Sequence, residues 1–279
     1  MQVESATTPT LTRQQRRDAA GEEVQNLFNE ILTQAGQSGY ASAEAYESEN
    51  SVETDIQQTW DDWFTVSNAG NYPDGVSSQD LKTGYGQILV RAYNEGGYLD
   101  PKGFLSGLSD EDLEIIQHVS RLVDPINPNA ITDEGALNLL IPMPAQVDAN
   151  NDGLTQVGKG NSIRFPDSRT PEAVVNAWNE TTADMPPAEK MMYELRMKLS
   201  VITANIIVDD NGQFVRQREP GDADWVNPMA ADNYSYQDLA QQYLDYLDYF
   251  KNQIPPDQYE KDTAFWTDFK QTLAKHGAQ

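Results

Sequence analysis

Apolar residues in this chain recur at intervals of three and four, in short runs that glycine and proline repeatedly cut off. Val24, Leu27, Phe28, Ile31, Leu32 and Ala35 form the first stripe, closed by Gly36 and Gly39. That period lines one face of an α-helix and fits no strand. Ile56, Trp60, Trp63 and Phe64 predict a second helix over roughly 53–66, followed by a loop over 68–78 that holds Gly70, Pro73 and Gly75. Ser78 is the expected cap of a third, with Leu81, Ile88, Leu89 and Tyr93, which Gly96-Gly97 stops. Ser109 before Asp110, Glu111 and Asp112 is a strong helix start, because a hydroxyl and negative charge both satisfy the free amides of a first turn.

Further along, Thr132 is expected to cap a short helix through Leu140, and Thr170-Pro171-Glu172 to open another. The run from about Pro187 to Ser200 reads as a helix with Met191, Met192, Leu195 and Leu199 inward. Two helices close the chain, one with Tyr236, Leu239, Tyr243, Leu247 and Phe250, the other with Tyr259, Phe265, Trp266, Phe269 and Leu273. One β signal stands out. Val201 to Val208 is β-branched, Asp209-Asp210-Asn211-Gly212 is turn chemistry, and Phe214 to Arg218 can return antiparallel. The expected fold class is mainly α: a multi-helix globular protein with one small β-hairpin at about 201–218. Residues 1–20 read as a flexible N-terminal arm and 21–279 as a single helical domain, with a hinge expected in the glycine- and proline-broken stretch 141–169.

Charge and residue usage narrow the function classes. Lys+Arg of 19 against Asp+Glu of 44 gives a net charge of −25. Such a chain repels phosphate backbones and anionic lipid surfaces, so neither nucleic acid nor membrane is expected as a partner. There is no cysteine, which excludes thiol catalysis and thiolate metal sites, and His118 and His276 are the only histidines. The N-terminus carries Arg13, Arg16 and Arg17 without an apolar core segment, so it does not read as a secretory signal. The default expectation is cytoplasmic.

One stretch names a chemistry. Asp148-Ala149-Asn150-Asn151-Asp152-Gly153 spaces three oxygen-bearing side chains so that they converge, and the glycine permits a sharp turn. The loop resembles the calcium-binding loop of the EF-hand family over about a dozen residues. The resemblance implies Ca2+ held by Asp148, Asn150 and Asp152, by the Leu154 carbonyl and by Gln156 directly or through water. At the twelfth place the family has a bidentate glutamate and this chain has Lys159. Prolines precede the loop and glycines follow it, where the family has helices. Remaining ligands must therefore be borrowed, with Asp167 the first choice and Asp133 or Glu134 behind it. The competing reading is plain turn chemistry, since Asp, Asn and Gly also make Asx-turns. The wider segment from Thr132 to Trp178 resembles a pattern in uncharacterised bacterial proteins of planctomycete type, which implies no activity.

Other candidates have ordinary readings. Glu114 and His118 form an i,i+4 pair. Asp61-Asp62, Asp110-Glu111 and Asp245 with Asp248 are carboxylate pairs of the kind a glycosidase uses, but chance supplies such pairs among so many acids. Trp60, Trp63, Trp178 and Trp266 fit apolar stripes and are expected in the core; Trp225 is the aromatic best placed for surface binding. The functional expectation is an acidic helical protein with one structural calcium that acts by contact with a protein partner or by self-assembly. The alternative is a carboxylate-based hydrolase acting on polysaccharide.

Overall fold

The computed structural model describes residues 11–67, 72 and 75–278. The first ten residues of the expected arm, and Gly70 and Pro73 of the expected loop, lie outside the described residues. The protein is mainly α: it is 57% helical, with ten helices and two small antiparallel two-stranded sheets among the described residues.

The chain divides into two compact units. Unit 1 comprises residues 1–39, 43–146 and 157–159. It holds α1 (Arg13–Gln34), α2 (Val52–Ser67), α3 (Ser78–Asn94), α4 (Pro101–Ser106), α5 (Asp110–Val119) and α6 (Asp133–Leu139). Here α1 packs on α2, α2 on α3, α3 on α5 and α4 on α6. Its core includes Val24, Phe28, Trp60, Tyr85 and Leu89, all buried. Two polar ends in that core are satisfied: Trp60 Nε1 donates to the Lys82 carbonyl at 2.7 Å and the Tyr85 hydroxyl to the Leu139 carbonyl at 3.0 Å.

Unit 2 comprises residues 40–42, 147–156 and 160–279. It holds α7 (Glu172–Thr182), α8 (Pro187–Thr203), β3 (Ile206–Val208), β4 (Phe214–Gln217), α9 (Tyr236–Phe250) and α10 (Pro256–Lys275). The other sheet is β1 (Thr155–Val157) with β2 (Gly160–Ser162). In unit 2, α10 packs on both α9 and α7. Its core is aromatic. Trp178 meets Phe269 edge-on at 5.7 Å, and Tyr193 stacks on Phe265 at 3.6 Å.

Several expectations shift in detail. Helix begins at Arg13, inside the expected arm, because Thr12 and Gln15 form a reciprocal capping box. Ser77 caps α3, one residue before Ser78. The helix α4 was not anticipated, although Asp100-Pro101 is a cap followed by proline at the first helical position. Thr170 does not cap α7; its hydroxyl donates to Asp167 Oδ1 at 2.8 Å. The expected strand from Val201 is helical to Thr203, since Val201 is buried on the inner face of α8. The hairpin proper pairs Ile206 with Gln217, Ile207 with Arg216 and Val208 with Phe214.

Candidate functional site

The Asp-x-Asn-x-Asp-Gly loop lies wholly in unit 2 and is closed by its own side chains. Asp148 is fully buried. Its Oδ1 accepts from the Asp152 amide at 3.1 Å and its Oδ2 from the Gly153 amide at 2.8 Å. Asn150 Oδ1 accepts from the same Asp152 amide at 2.9 Å, and Asn150 Nδ2 donates to Asp152 Oδ2 at 3.1 Å. Asp152 Oδ1 takes the Leu154 amide at 2.8 Å. These are nested Asx-turns, in which acidic side chains satisfy backbone donors that the tight turn leaves without helix or sheet partners. The turn needs left-handed backbone at Asn151 (φ 59°) and Gly153 (φ 88°). A Cβ at Gly153 would lie 3.0 Å from both Asn227 Oδ1 and Val201 Cγ1, so a side chain there would add close contacts to the backbone strain.

A ring of polar side chains clamps the loop from outside. Ser168 Oγ accepts from the Asp148 amide at 2.9 Å. Arg169 donates through Nε to the Asp148 carbonyl and through Nη2 to the Ala149 carbonyl, both at 2.8 Å. Trp225 Nε1 donates to the Asp152 carbonyl at 2.9 Å, and Asn227 Nδ2 to the Asn151 carbonyl at 3.0 Å. Trp225 is therefore part of the loop's clamp and does not stand free as a surface-binding aromatic.

A buried cationic side chain also meets this loop. Lys198, on α8, is 1% exposed. Its ammonium donates to the Gly153 carbonyl at 3.1 Å and pairs with Asp167 Oδ2. Asp167 Oδ1 accepts from the Arg169 amide at 3.0 Å as well as from Thr170. Burial pushes the Asp148 carboxyl up to about 6; the Gly153 amide opposes the shift, Asp152 and Asp167 add to it, and Lys198 opposes it.

Asp148, Asn150, Asp152 and Asp167 are thus brought together. Leu154 offers its amide to Asp152, Gln156 is carried into β1, and Lys159 is exposed in the β1–β2 turn. Asp133 pairs with Lys102 at 2.9 Å. As arranged, the carboxylate oxygens of Asp148 and Asp152 face N–H donors. Among the described residues no group of three or more His, Cys, Asp or Glu is placed to hold a metal ion. The donor set in this geometry fits an Asx-turn better than a calcium shell, which takes six to eight oxygens. Lys198, Ser168 and Arg169 were not anticipated. Lys198 had a signal: it lies among Tyr193, Met197 and Val201, a second apolar stripe on its helix.

The carboxylate pairs have ordinary partners. Asp61 lies 3.6 Å from Lys82, Asp248 3.1 Å from Lys251, and Asp110 and Glu111 occupy the first turn of α5. Glu114 and His118 form an ion pair at 3.4 Å. A groove of about 500 Å3 along α10 is lined by Glu260 and Asp268. Both stand on the one helix, and among the described residues no second element lines the groove to set a carboxylate across from them.

α8 presents its expected inner face to solvent. Met191, Met192, Leu195 and Leu199 are 37–62% exposed, and the buried face is Tyr193, Met197, Lys198 and Val201. Two apolar stripes share this helix. The inner one wins because Tyr193 both stacks on Phe265 and donates to Asp262 at 2.8 Å, while Lys198 reaches Asp167. The hairpin that follows is also bare: Ile206, Val208, Phe214 and Val215 are 40–67% exposed.

No family model, curated protein or solved structure matches the chain. No helix among the described residues is long and apolar enough to cross a membrane.

Proposed function

We propose that the protein acts by non-covalent contact, as an interaction or assembly protein, through the apolar face formed by α8 and the β3–β4 hairpin. The observation that carries this reading is the run of eight large apolar side chains left exposed on consecutive elements. Apolar patches of that extent on a folded chain mark contact surfaces. The hydrolase reading draws no support from the candidate carboxylates, which pair with lysines or occupy a helix's first turn.

Methionine oxidation tests the contact reading. In dilute purified protein Met191 and Met192 are expected to oxidise readily with peroxide while buried Met197 does not. In a concentrated extract of the cells that make the protein, Met191 and Met192 are expected to be protected. Equal reactivity in both settings would count against the reading.

A structural calcium in the 148–153 loop is a second proposal, supported by the Asp-x-Asn-x-Asp-Gly spacing and by the convergence of Asp148 Oδ1 and Asn150 Oδ1 on one amide. It requires these side chains to exchange N–H partners for the ion. Its signature is a melting temperature raised by calcium, reversed by chelator and abolished in Asp148→Ala with Asp152→Ala. Identical melts with calcium and with chelator would remove it.

A further inference from the structure

We infer that the partner of the α8–β3–β4 face is a second copy of this chain, docked about a two-fold axis. The inference rests on the contact reading above and commits it to one occupant.

Four observations favour self-association. The first is spacing. Ala188, Met192, Leu195, Leu199 and Ile202 follow intervals of four, three, four and three, the seam by which paired helices pack. A two-fold axis places the same seam on both sides, so one stripe serves as both ridge and groove. The second is charge. Between Pro187 and Arg218 the chain has five basic and four acidic residues, while the whole carries −25. Two acidic chains approach most easily where their own field is weakest, whereas a basic partner would be drawn to the acidic remainder.

The third is that nearby charges are already engaged within the chain. Glu189 pairs with Lys261 at 2.7 Å and Arg196 with Asp262 at 2.8 Å. Arg218 pairs with Asp224 at 3.0 Å, and Lys198 with Asp167. Lys190 and Glu194, the other charged residues of α8, are opposite in sign, so the helix asks for no net counter-charge from its partner. The fourth is area. The eight apolar residues are 37–67% exposed on consecutive elements, the kind of patch that a standard stable interface of ~800 Å2 per partner covers. The hairpin needs such cover: every residue of β4 is exposed, and a two-stranded hairpin without packing is marginal in water.

Sedimentation velocity of the full chain over a range of concentrations tests this. The expected result is a shift from 31.2 kDa towards twice that mass as concentration rises. Added salt should strengthen the dimer, because it screens the repulsion between two acidic chains. Leu195→Glu with Leu199→Glu buries charge without a partner and should weaken association at least about tenfold. Phe214→Glu should weaken it as well. Leu99→Glu, at an exposed position in unit 1, should leave it unchanged. Far-ultraviolet circular dichroism and melting temperature verify that each variant is folded.

A wild-type chain that stays monomeric throughout would overturn the inference, as would a dimer indifferent to the α8 substitutions. A monomer whose Met191 and Met192 are nonetheless protected in extract would remove the second copy and keep the contact reading. Reactive methionines in both settings would remove both.

Discussion

Lys198 and Asp148 set the energetics of the loop. Burying an ammonium is costly unless a carboxylate and further acceptors meet it, and Asp167 with the Gly153 carbonyl does so. Removing one partner leaves the other charged and dry. Lys198→Met is therefore expected to destabilise the fold by about 3–5 kcal/mol in urea unfolding. Lys198→Met with Asp167→Asn should recover much of that loss, because the amide keeps an acceptor for Arg169 and Thr170 without the charge. Asp148 makes a pH prediction. Its carboxyl is raised by burial from 3.8 to about 6 in the folded state. Between those values the folded chain holds the extra proton, so stability from this group is full below about pH 4 and is lost as pH rises through about 6. In calcium-free buffer, unfolding free energies of wild type and Asp148→Asn should diverge across that window. Parallel curves would contradict it.

At the scale of elements, α8 carries the main lesson. Its length and start follow from proline, acid and helix-forming residues near Pro187, but its sequence holds two apolar stripes and does not say which is buried. The aromatic stack on Phe265 and the Lys198–Asp167 pair decide it. Met197→Ala on the inner face is expected to cost about 2–5 kcal/mol, while Met191→Gln on the outer face should change monomer stability by less than about 0.5 kcal/mol. Reversed magnitudes in chemical denaturation would mean the helix is turned the other way. The starts of α5 and α6 were readable because Ser109 and Thr132 satisfy amides three residues ahead, a purely local bond. Thr170 offered the same local chemistry and went instead backwards, to Asp167 three residues before it, a local bond that competes with the cap.

For the whole molecule, the net charge of −25 is the dominant long-range term. Compact folding concentrates that charge, so the melting temperature should rise by several degrees as sodium chloride is raised from low to physiological strength and beyond. Differential scanning fluorimetry over a salt series measures this, and a flat response would mean that local pairs already balance the field. Each unit has its own aromatic core, built on Trp60 and Tyr85 in unit 1 and on Trp178 and Phe265 in unit 2. All four tryptophans read as core residues are buried there, because a large ring on a helical stripe has no other favourable place.

Local information in the chain was enough to determine that it is helical, where most helices start and stop, and that residues 148–153 form a tight acidic turn. Periodicity, capping and Asx chemistry act within a few residues, and each is written in the order of the side chains. What only tertiary structure decided is which groups from elsewhere in the chain meet that turn and which face of α8 is free. The Asp148 and Asp152 oxygens are filled by amides of their own loop, and the cation beside them comes from Lys198, some 45 residues later in the chain. Both outcomes depend on which groups are desolvated together, and that is a property of packing.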